Sequence, residues 1–158
     1  MTANLQPKSK SPSQSMTSRM RDNVNAAAAP QLGPGERIEA TLPLATSGMS
    51  PWLAASFGAI GALIGWKAME RYSVVVTDRR LLLMRQGGIV KAAYTFDQAY
   101  PGSGVRVASY KPGMVGYGKL VLDLPAGSSG SARQLGLSFH RGFRKEAEEV
   151  ATALGHRT

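Results

Sequence analysis

A chain of 158 residues is enough for one ordinary domain and a tail. Nineteen Lys and Arg against ten Asp and Glu leave a net charge of +9, which favours anionic partners and says nothing of fold. With no Cys and two His, the chain excludes a disulfide framework, a thiolate metal site, a cysteine nucleophile and a histidine-rich metal centre. A cytoplasmic location fits that usage.

Residues 1–34 are rich in Ser, Pro, Gln, Asn and Ala and carry a small basic excess. Too few large apolar side chains stand there to offset the entropy of ordering, which predicts a disordered basic tail. Its lysines precede no apolar stretch of the kind a secretory signal needs. Pro30, Gly33, Pro34 and Gly35 stop any helical turn begun at the alanines, so the domain is expected to run over 35–155.

The strand-like GERIEATLPL comes first. From Thr41 to Trp66 no residue is charged. Ser50 and Pro51 suit a helix start, and Lys67 and Arg71 suit its end, so an uncharged helix is predicted over 52–69. Gly58, Gly61 and Gly65 each cost such a helix about 1 kcal/mol against Ala. With Ala54 and Ala62 they form a small-residue face that admits close approach of another backbone.

Three readings of this segment stay open. Trp52 to Trp66 would span only about 22 Å at 1.5 Å per residue, short of a hydrocarbon core about 30 Å thick. The helix could instead pack beside the sheet. Or it could make a shallow membrane contact or a self-association surface through Trp52, Phe57, Gly61, Gly65 and Trp66.

Short strand signals follow. RYSVVV and LLLMR are apolar runs separated by Thr77-Asp78-Arg79-Arg80, where Asp favours a turn. Gly87-Gly88 marks a hairpin ahead of IVKAAYTF, and Lys111-Pro112-Gly113 ends a strand around Arg106. KLVLDL and QLGLSF alternate in part, with Leu135, Leu137 and Phe139 on one face. The chain closes with a helix over 140–154, on which Phe143, Ala147, Val150, Ala151 and Leu154 form one apolar stripe and Gly155 is the C-terminal glycine. This order predicts an α+β domain with consecutive antiparallel strands.

GERIEA, then YSVVVTDRRLLLMR, then FHRGFRKEAEEVATAL together resemble the bacterial pleckstrin-homology-like (PH-like) domains, with the TDRRL turn the most specific piece. The resemblance covers residues 35–154. It implies a strongly bent antiparallel sheet of about seven strands, a split barrel closed at one end by the C-terminal helix. It also implies a non-catalytic binding or adaptor role. The uncharged insertion after the first strand departs from that pattern.

Phosphate-cradle and catalytic motifs are missing. Gly65-Trp66-Lys67-Ala68 breaks the P-loop pattern, the dinucleotide glycine fingerprint lacks its third glycine, and there is no nucleophile elbow or metal-binding HExxH. No catalytic residue, metal or cofactor is therefore assigned, and no small-molecule substrate is expected. His140 is read as a cap or packed side chain. Residues 67–119 hold nine bases against Glu70, Asp78 and Asp97, so two thirds of the excess charge lies there. Lys67, Arg71, Arg79, Arg80 and Lys111 are the anionic-ligand candidates, since Arg and Lys in loops suit phosphate oxygens. The reading that follows is peripheral association with anionic phospholipid at the inner face of the cell membrane. A protein partner or homo-oligomer docking through the small-residue face is the alternative, and nucleic acid ranks third.

Overall fold

The computed structural model describes residues 12–48, 58–60, 69–88, 93–113, 116–127 and 131–155. Helix α1 covers Pro12–Ala28 and is followed by β1 (Ile38–Ser47), β2 (Glu70–Thr77), β3 (Arg80–Gly87) and β4 (Ala93–Pro101). Strands β5 (Arg106–Lys111), β6 (Tyr117–Leu124) and β7 (Arg133–His140) come next, and α2 (Arg144–Ala153) closes the chain. All seven strands belong to one antiparallel sheet in the order β4-β3-β2-β1-β7-β6-β5.

That order forces the sheet to roll. Laid flat, its edge strands β4 and β5 would lie six spacings apart, about 29 Å. Only residues 102–105 join Pro101 to Arg106, a reach of at most about 18 Å. The edges are thus drawn together at this corner, yet β4 does not pair with β5, and the barrel is not closed. Inside the roll, Leu42, Tyr72, Val74, Leu81, Leu83, Leu120, Leu137 and Phe139 form the core. Ala147, Val150 and Ala151 of α2 complete it. Each Val or Leu so buried contributes about 1.5–3 kcal/mol. α2 ends where Gly155 takes φ +87° and donates its N–H to Thr152 O at 2.9 Å.

The two apolar runs are buried on both faces. Val74, Val76, Leu81 and Leu83 point into the core, while Val75, Leu82 and Met84 point out and are just as buried. Their cover is α1, whose Val24 and Ala28 are fully buried against them. Thr41 Oγ1 donates to Asn25 Oδ1 at 2.6 Å and ties the helix to β1. The expected tail is therefore corrected over 12–34. Its few apolar groups recur every four residues at Met16, Met20, Val24 and Ala28, and a docked face needs no more than that stripe. Among the described residues, α1 packs on the sheet ahead of Gly35.

In β6 and β7 the alternation is clean. Gly118, Leu120, Leu122, Leu135, Leu137 and Phe139 face inward, while Tyr117, Lys119, Val121, Asp123, Gln134, Ser138 and His140 face out. Gly118 is needed because the ring of its cross-strand partner Phe139 lies over it, and a Cβ there would meet that ring at 2.3 Å.

Of the expected inserted helix, residues 58–60 are described; they are helical and exposed, with Ile60 at 74%. Residues 52–57 and 61–68 lie outside the described residues, and Met69, the expected last residue of that helix, is described and is not helical. No helix among the described residues is long and apolar enough to cross a membrane.

Candidate binding surface

The TDRRL turn is a latch. Arg80 Nε lies 2.9 Å from Glu36 Oε1 and its Nη2 lies 3.0 Å from Oε2, a bidentate pair, and Nη2 also donates to Gln31 O. Glu36 is almost fully buried and further accepts from Thr77 Oγ1 and the Gly33 N–H, each at 2.7 Å. The Arg80 guanidinium, helped by the Gly33 and Thr77 donors, holds its carboxyl down at about 2 from 4.5. Asp78 Oδ1 accepts from the Arg37 N–H at 3.1 Å, and Asp78 returns its own N–H to Arg37 O at 3.0 Å. Arg79 Nη2 donates to Pro34 O at 3.1 Å. Through these bonds the β2–β3 turn grips residues 31–37, the connection that lays α1 on the sheet.

Arg80 is set apart from the other anionic-ligand candidates, because its Nε and Nη2 are engaged by Glu36 and Gln31. Arg79 stays exposed beside it. Arg71 is at the other end of β2, about 20 Å away at 3.3 Å per residue. The candidates are thus not one cluster. Lys67, Trp52, Phe57, Gly61, Gly65 and Trp66 lie outside the described residues.

The pairing register gathers a different set. Arg71 faces Thr46 across β2 and β1, and Thr46 faces Ser138 across β1 and β7. Ser138 faces Lys119 on β6, which faces Lys111 on β5. Directly opposed residues share a face, and each of these alternates with a core residue, so the five form one row across the outside of the sheet. The row is Arg71–Thr46–Ser138–Lys119–Lys111. At about 4.8 Å per strand it is about 19 Å long, with the two lysines adjacent. Tyr117, 53% exposed, lies on the same face two residues from Lys119 and packs edge-on to His140 at 5.7 Å.

Two predicted residues, Arg71 and Lys111, therefore sit at opposite ends of a basic row that the sequence reading did not see. Lys119, Thr46, Ser138 and Tyr117 were missed. The signal for Lys119 was present: a hairpin centred at position 115 sets 119 against 111. His140 caps the turn before α2, accepting the Gly142 N–H on Nδ1 at 3.1 Å. Elsewhere the basic excess is partly spent, since Arg85 is within 3.5 Å of Glu70 and 3.8 Å of Asp97, and Arg106 is opposite Asp123.

No family model matches the chain, and no curated protein matches it significantly.

Proposed function

We propose that the protein is a non-catalytic, PH-like binding domain that associates with anionic phospholipid surfaces through the outer face of its sheet. The observation that carries this reading is the Arg71–Thr46–Ser138–Lys119–Lys111 row, three bases and two hydroxyls in register on one face. Two lysines directly opposed on neighbouring strands repel, and an anion relieves that repulsion. Tyr117 supplies an amphipathic ring beside them, suited to the head-group region. The uncharged insertion is the connection between β1 and β2, whose ends carry Thr46 and Arg71, and its Ile60 is exposed. Apolar and basic contacts thus spring from one margin of the sheet. Binding rather than catalysis is favoured because the strongly perturbed carboxylate, Glu36, is locked in the latch.

Three bases at about 1 kcal/mol each near an anionic surface raise partitioning roughly a hundredfold. Co-sedimentation with phosphatidylglycerol vesicles is expected to be strong at low salt and to weaken as salt screens the charge. The double variant Lys111→Glu with Lys119→Glu should lose it while folding normally. Equal binding to neutral phosphatidylcholine vesicles, or undiminished binding by that variant, refutes the reading. Arg80→Glu is unsuitable for the purpose, since it would set a carboxylate against Glu36.

A further inference from the structure

A cleft of about 500 Å³ lies between the N-terminal half of α1, the turn after β7 and the start of α2. That is within the usual range for small-molecule sites. Glu146 lines it, is 92% buried, and its Oε2, closed off from solvent, has no hydrogen-bond partner among the described residues. It is the third residue of α2, where the helix dipole favours a negative charge. The dipole does not replace a donor, and a buried carboxylate oxygen without one is costly. Basic groups also line it: Arg21 of α1, Lys145 of α2, which lies 3.9 Å from Glu149, and His140, with Thr17 and Ser18 as hydroxyls and Met16 and Phe143 as apolar contacts. Because His140 Nδ1 accepts the Gly142 N–H, the neutral ring carries its proton on Nε2 and can donate.

We propose that this cleft binds a phosphoethanolamine group, its ammonium donating to the Glu146 carboxylate once that side chain turns an oxygen into the cleft, and its phosphate held by Arg21, with His140 and Lys145 alongside. A short zwitterion is the chemistry that satisfies an orphaned carboxylate and cationic walls together. Three separate donor side chains suit a tetrahedral phosphate better than the two oxygens of a carboxylate. His140 also packs on Tyr117, so the cleft adjoins the basic row. The group could come as a lipid head group or as a free phosphate ester. The lipid source rests on the membrane reading, whereas the cleft itself does not.

Calorimetric titration of the full chain with O-phosphoethanolamine and with O-phosphocholine separates the ideas. Phosphocholine keeps the charge but has no N–H, so it should bind about tenfold or more weakly. Glu146→Gln should abolish that preference, and Arg21→Gln, at an exposed position, should weaken both ligands and serves if the first variant folds poorly. Equal affinity for the two compounds, no binding of phosphoethanolamine at millimolar concentration, or an unchanged preference in Glu146→Gln overturns the proposal. Vesicles of phosphatidylcholine with and without phosphatidylethanolamine identify the source. Glu146-dependent enrichment on the latter marks a lipid head group, and binding of the free ester alone marks a soluble ligand; either supports the cleft. Failure of the Lys111 and Lys119 test with intact phosphoethanolamine binding would remove the membrane reading and leave the cleft standing.

Discussion

Strands β2 and β3 are buried on both faces, whereas β6 and β7 are buried on one. The difference comes chiefly from α1, which covers the outer sides of Val75, Leu82 and Met84 and leaves Tyr117 and Lys119 exposed and Val121 half-buried. A face that is covered spends its side chains on packing. A face left bare can spend them on a partner, and there the structure places lysines in register. The TDRRL turn, which carries two of the five anionic-ligand candidates, belongs to the covered half and serves to hold the cover in place.

The largest expected effect breaks the cover at its latch. Arg80→Met leaves Glu36 buried without its partner and should cost about 3 kcal/mol in urea unfolding. The latch is also acid-sensitive. Glu36 is held near 2 against 4.5. Its contribution is therefore complete above about pH 4.5 and is lost as pH falls toward 2. Glu36→Gln should flatten that part of the stability profile, and a profile unchanged in shape would show that the latch carries no linked stability.

Next comes a matched pair on the same side of the sheet. Val75→Ala, under α1, should cost about 2 kcal/mol, and Val121→Ala, on the uncovered half, under about 1 kcal/mol. Equal losses would mean that α1 does not shield its half in solution.

Much of this division was legible in the amino acids. SVVV and LLLM are continuous apolar runs, and a strand with no polar side needs a cover on each face. KLVLDL and QLGLSF alternate, as one-sided strands do. The seven strands and the C-terminal stripe followed from such patterns. What hid the cover was composition: among the Ser, Asn and Arg of residues 12–28, the stripe of Met16, Met20, Val24 and Ala28 is too thin to pay for ordering a helix alone, and it becomes favourable only against β2 and β3. The candidate site was half visible for a related reason. Arg71 and Lys111 stand out as charges, but their membership of one row depends on the β1–β7 pairing at Thr46 and Ser138, a contact between residues 92 apart that no local pattern encodes. The latch was not visible because Arg80 finds its carboxylate 44 positions away.

The smallest expected effect sharpens the comparison most, because it separates folding from binding on the bare half. Lys111 and Lys119 face each other across β5 and β6, both exposed. Like charges so placed destabilise a sheet, and replacing one by an acid turns repulsion into attraction, a change of about 0.5 kcal/mol in favour of folding. Lys119→Glu should therefore raise the urea midpoint slightly at low salt, with the gain fading as salt is added. The same substitution should weaken phosphatidylglycerol binding, since it reverses the charge at the inner lysine of the row. Residues kept for packing lose stability and function together when changed, as at Val75. A lysine whose replacement stabilises the fold and impairs binding is held there for its partner. If Lys119→Glu leaves vesicle binding intact, the row is a solvated surface, and the bare half of the sheet lacks the use assigned to it.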